Sequence, residues 1–142
     1  MNFDSEIGMS SANSVHNELQ LKLAVYIYNF VNWTIKRAKK YTAYVTEAVN
    51  ADRDSQHPDI SIKEKSTGKT VLIIEITAKK SEEDKKALNY RDKKNISYTN
   101  AEILVYHYVK HIWYKVNEKG ILEKNSISDF LSKDMYELTD KS

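Results

Sequence analysis

The sequence predicts an α/β fold: a mixed central sheet flanked by helices. Three observations point there. Leu19, Leu23, Ile27 and Val31 recur every four residues, the spacing of one helix face. Between Tyr41 and Val116 lie several short runs rich in β-branched and aromatic residues, which suit a half-buried pleated surface. Ser81-Glu82-Glu83-Asp84 interrupts those runs, with Ser as a helix N-cap and acids in the first turn. Helical faces on both sides of a strand series must be buried against the sheet, which makes a layered α/β sandwich.

The first helix is expected from about Val15 to Ala38, with Tyr26 and Phe30 widening its apolar stripe. Residues 1–12 lack periodicity and read as a flexible N-terminus ahead of a single domain over 13–142. Lys36-Arg37-Ala38-Lys39-Lys40 closes the helix, where cations complement the dipole; phosphate binding is the lesser alternative. Tyr41–Val49 is expected to be a strand, 50–58 a polar loop, and Asp59–Lys65 and Lys69–Thr77 two further strands. The helix opened by Ser81 carries Ala87, Leu88 and Tyr90 and ends near Asn95. Ile103–Tyr108 and His111–Val116 read as strands, Asn117-Glu118-Lys119-Gly120 as a turn. A closing helix over Ser128–Leu138 would place Phe130, Leu131, Met135 and Leu138 on its apolar side. The order is α-β-β-β-α-β, then a further strand and a short helix.

At 142 residues and 41% hydrophobic content the chain can bury one substantial core. A net charge of +2 gives no licence by itself for nucleic-acid binding. The absence of cysteine excludes disulfides and thiolate metal sites and suits a reducing cytosol. The polar, acidic start is unlike a signal peptide, and no apolar stretch approaches the ~20 residues that span a bilayer. A soluble cytoplasmic protein with no membrane association is expected.

Glu75 is the position that asks for an explanation, because it follows the apolar run Val71-Leu72-Ile73-Ile74. Ser66-Thr67-Gly68 fits a three-residue hairpin loop with Gly68 in the left-handed conformation. That loop pairs Lys65 with Lys69, Lys63 with Val71, Ser61 with Ile73, and Asp59 with Glu75. Ile60, Ile62, Leu72, Ile74 and Ile76 then form a core face, and both carboxylates share the opposite face, where Glu75 need not be buried. Opposed like charges destabilise a sheet, by ~0.2–1 kcal/mol when exposed. A divalent cation turns that repulsion into attraction, and two carboxylates with waters suit Mg²⁺. The alternative is a pair of ordinary acids near strand ends.

Pro58-Asp59, the hairpin, Ile73-Ile74-Glu75-Ile76 and the α-β-β-β-α-β order together resemble the PD-(D/E)XK nuclease superfamily, with its restriction endonuclease-like fold. More narrowly, the chain resembles the Uma family of restriction endonucleases over about residues 15 to 116. That pattern has a His opening the first helix (His16), Pro-Asp-hydrophobic (Pro58-Asp59-Ile60), apolar residues running into Glu (Glu75-Ile76), and a Lys and a Tyr four residues apart on the next helix (Lys86 and Tyr90). The resemblance implies a divalent-metal-dependent endonuclease that hydrolyses DNA phosphodiester bonds with Mg²⁺ or Mn²⁺. Asp59, Glu75 and the backbone carbonyl of Ile76 would be metal ligands, with Glu18 or Glu47 completing the set. A homodimer suits cleavage of both strands.

One departure matters. The signature Lys, two residues after the Glu, is replaced by Thr77, so Lys86, or failing it Lys79, would supply the cation. Ala78 stands where the Uma pattern has Ser. A catalytically inactive nucleic-acid-binding or protein-interaction module of the same fold is the alternative reading. His57 could touch phosphate, although a loop His without a role is the simpler reading. His107 and His111 read as surface residues, and Trp33, Trp113 and the ten tyrosines as packing residues.

Overall fold

The computed structural model describes residues 3–45, 58–78, 85, 87–89 and 100–139. Helix α1 (Phe3–Val31) turns Leu23, Ala24, Ile27 and Val31 into the core and leaves Leu21, Val25 and Tyr28 exposed. It begins at Phe3, within residues 1–12, whose sequence has no helical periodicity. Extending an established helix needs no apolar face, so missing periodicity was no barrier there.

The expected single helix to Ala38 is instead two. At its end Asn32 Nδ2 donates to the Tyr28 carbonyl at 2.9 Å. Thr34 then turns extended (φ −127°, ψ 154°) and its side chain accepts from the Arg37 amide, capping the short helix α2 (Ile35–Lys40). Arg37 folds back, donating to the Phe30 carbonyl at 2.9 Å with its guanidinium 4.0 Å from the Phe30 ring centre. That is a packing role for one member of the basic cluster.

Six strands follow in one mixed sheet: β1 (Tyr41–Val45), β2 (Ile60–Glu64), β3 (Thr70–Thr77), β4 (Glu102–His107), β5 (Ile112–Val116) and β6 (Leu122–Lys124). Their spatial order equals their sequence order. Neighbours are antiparallel except β3 and β4, which run parallel. A parallel pair needs a long crossover, and helical residues 85 and 87–89 (α3) lie within it.

The expected closing helix over Ser128–Leu138 is replaced by a small hairpin of β7 (Ile127–Ser128) and β8 (Lys133–Asp134), followed by α4 (Tyr136–Thr139). The Glu102 carboxylate explains the change. It accepts from Ser128 Oγ at 2.5 Å and from the Asp129 amide at 2.7 Å, holding a turn where a helix would have run. Lys115 approaches the same carboxylate at 3.5 Å and Asp129 at 3.4 Å.

The sheet is covered on both faces. Leu23 and Ile27 of α1 pack on Ile60, Ile62, Leu72, Ile74, Ile76, Leu104 and Trp113. The other face joins Ile73, Ile103, Val105, Tyr114 and Val116 with Ala87 of α3. Each Leu or Ile so buried contributes roughly 1.5–3 kcal/mol. Trp113 fits the packing role expected of it, whereas Trp33 stands 78% exposed at the α1–α2 break. No helix among the described residues is long and apolar enough to cross a membrane.

Candidate functional site

The β2–β3 hairpin decides which acids meet. Gly68 has φ 71°, the left-handed conformation that favours glycine, and its amide closes the loop onto the Glu64 carbonyl at 2.8 Å. Lys63 pairs with Thr70 rather than Val71, so the turn end is offset by one residue from the expected register. A bulge at Val71 absorbs the offset, and Ile62↔Leu72, Ser61↔Ile73 and Ile60↔Ile74 follow the expected register. Continued by one residue, that register sets Asp59 against Glu75.

Asp59 stands just outside the ladder, where its side chain replaces a missing strand partner. Asp59 Oδ2 accepts from the Ile76 amide at 2.8 Å. The same oxygen lies 3.3 Å from His16 Nε2 of α1. Gln20 Nε2, also on α1, donates to the Asp59 carbonyl at 3.0 Å. His16 and Gln20 are four residues apart and so share a helix face. The first helix therefore grips Asp59 at side chain and backbone together. Sequence reading singled out His16 but missed Gln20; its spacing from His16 was the available signal.

Glu75 departs from expectation. It is 0% exposed, not placed on a wet face. The second face is itself a core, and Glu75 is in register with Val105 of β4 there. Burying a carboxylate in such surroundings is costly unless its charge is compensated. Ile76 sends its side chain into the α1-side core while its amide serves Asp59. Thr77, at the position of the signature Lys, is 2% exposed, and its carbonyl accepts from the Tyr108 amide at 3.0 Å.

Lys79, Lys86, Glu47, His57 and Tyr90 lie outside the described residues. Glu18 is exposed on α1, where it borders a cavity of about 600 Å³ with Leu19, Lys22, Tyr106, Tyr108 and His111. Among the described residues no three His, Asp or Glu side chains gather as a metal-holding group. Asp59 is held from the α1 side, whereas Glu75 lies in the opposite core beside Val105, so what joins them is the peptide unit between Glu75 and Ile76 whose amide Asp59 binds.

His107 corrects another expectation. It is 3% exposed, not a surface residue, and its Nδ1 accepts from the Lys110 amide at 3.2 Å within the β4–β5 turn. His111 is exposed as expected, but its ring is held by the Tyr106 hydroxyl. No protein-family model and no curated protein matches the chain.

Proposed function

We propose that this chain is a divalent-metal-dependent nuclease with a restriction endonuclease-like core of the PD-(D/E)XK kind, acting on DNA. The observation that supports it best is the tie between Asp59 and the Ile76 amide, beside Glu75. It lies at the carboxyl end of the parallel pair β3–β4, the end where open α/β sheets receive ligands.

Asp59, Glu75 and the Ile76 carbonyl would hold Mg²⁺ or Mn²⁺. When bound, such an ion would activate a water and neutralise phosphodiester charge. His16 and Gln20 orient the Asp59 carboxylate and backbone. The surrounding apolar residues keep bulk water from Glu75. Lys86 or Lys79 would supply the cation that Thr77 cannot.

Plasmid DNA incubated with Mg²⁺ or Mn²⁺ tests this reading. Cleavage should occur with the wild type and fall about a hundredfold or more in Asp59→Ala and Glu75→Gln. Cleavage that survives Glu75→Gln would sink the mechanism.

The second reading is a non-catalytic module of the same fold that binds nucleic acid or protein. Thr77 favours it, because a buried, tightly packed Thr stands at the signature Lys position. Metal-dependent binding of DNA without cleavage would select this reading.

A further inference from the structure

We propose that the cavity between α1 and the β4–β5 turn receives one unpaired nucleobase of the nucleic-acid substrate. The proposal rests on the nuclease reading and adds a substrate class to it: single-stranded or locally unpaired nucleic acid.

The walls carry the argument. Tyr108 and His111 supply aromatic rings, the buried Tyr106 backs His111, Leu19 gives an apolar surface, and Glu18 and Lys22 a charged rim. A volume of about 600 Å³ lies within the ~300–1,000 Å³ usual for small-ligand clefts. Aromatic side chains with a charged rim suit a flat ligand with polar edges. A base is such a ligand, and it stacks on aromatic side chains whatever its identity.

The rings are fixed in place. Tyr106 stacks on Trp113 with centroids 4.8 Å apart at 26°. The Tyr106 hydroxyl meets His111 Nδ1. The Tyr136 hydroxyl donates to the His111 carbonyl at 3.3 Å, and the two rings lie 5.3 Å apart. His111 itself has φ 57°, an unfavourable conformation for a residue with a Cβ. The fold thus holds a strained turn residue with its ring at the cavity wall. Nδ1 is engaged by Tyr106, which leaves Nε2 as the ring nitrogen available to a base edge.

Position connects the cavity to the carboxylates. His16, which touches Asp59, follows the cavity residue Val15 on α1. The amide of Tyr108 binds the Thr77 carbonyl at the exit of β3. A base seated in the cavity would leave its phosphodiester on the Asp59 side of the β3 exit. A base stacked in a duplex cannot enter without being extruded, so an unpaired strand is favoured.

The test is a titration of the full chain against an oligonucleotide carrying 2-aminopurine, in EDTA so that no cleavage intervenes. Single-stranded and blunt duplex forms are compared by fluorescence. The single strand should bind at least tenfold more tightly and its fluorescence should change at saturation. Lys22→Ala should weaken binding about tenfold with an unchanged melting temperature, and His111→Ala should weaken it about tenfold in protein shown to be folded at the assay temperature. Equal affinity for the two forms, or wild-type binding by a folded Lys22→Ala or His111→Ala protein, overturns the proposal. Plasmid cleavage without single-strand preference overturns the base pocket alone. Single-strand binding by the wild type with no cleavage in Mg²⁺ or Mn²⁺ overturns the nuclease reading alone.

Discussion

The Ile76 amide donates to Asp59 Oδ2 at 2.8 Å, at the point where the β2–β3 ladder has just ended. One side chain thereby completes the hydrogen bonding of a strand at the peptide unit that follows the buried Glu75. Asp59→Ala should lower stability by about 1.5–3 kcal/mol, the range for a hydrogen bond to a charged acceptor. It should also abolish any rise in melting temperature caused by Mg²⁺ or Mn²⁺. Thermal melts with and without metal, for both proteins, read the two effects separately. A metal response that persists in Asp59→Ala would remove Asp59 from the metal site.

Gln20 should matter through Asp59. It is 6% exposed and donates to the Asp59 carbonyl. Gln20→Ala leaves that carbonyl without its donor and should cost about 1–2 kcal/mol. If Gln20 positions the acid, cleavage should fall by more than the loss of folded protein explains. Chemical denaturation alongside cleavage rates at saturating metal separates the two contributions.

Glu75→Gln should abolish any rise in melting temperature caused by Mg²⁺ or Mn²⁺ while keeping the shape of a fully buried side chain. Thermal melts with and without metal are the measurement. A metal response that persists in Glu75→Gln would remove Glu75 from the metal site.

Glu102→Ala should be strongly destabilising. Its carboxylate binds Ser128 Oγ and the Asp129 amide and faces Lys115, with only 12% of the side chain exposed. Losing several such bonds should cost about 3 kcal/mol or more, a drop of roughly 10 °C. Ser128→Ala should show a smaller loss of about 1 kcal/mol. Equal losses for the two variants would contradict a carboxylate that anchors the turn at several points.

Much of the site was legible because one glycine sets a register. Gly68 marks the hairpin loop, and the pairing of Ser61 with Ile73 follows as expected. The bulge at Val71 was hidden, since nothing in Lys69-Thr70-Val71 distinguishes a loop longer by one residue from a regular hairpin. The burial of Glu75 was hidden too, because its neighbour Val105 and the core on that face come from chain remote in sequence. Helix spacing read through the break at Asn32–Thr34, where a side-chain cap outweighs continuing periodicity. The apolar spacing of Phe130, Leu131, Met135 and Leu138 was also ambiguous. Glu102, far away in sequence, decides in favour of a turn.

The single parallel pairing has a temporal consequence. β1–β3 and β4–β6 are two meanders of near neighbours, each able to form from local contacts. They join only along β3–β4, across a crossover from Thr77 to Glu102, and such long-range closure is the slow step of a β-rich chain. Asp59 and Glu75 belong to the first meander; Tyr106, Tyr108 and His111 belong to the second strand series and its turn. The two halves of the proposed site meet only when that seam closes, so its competence to bind a ligand would arrive with a long-range contact rather than with either meander alone.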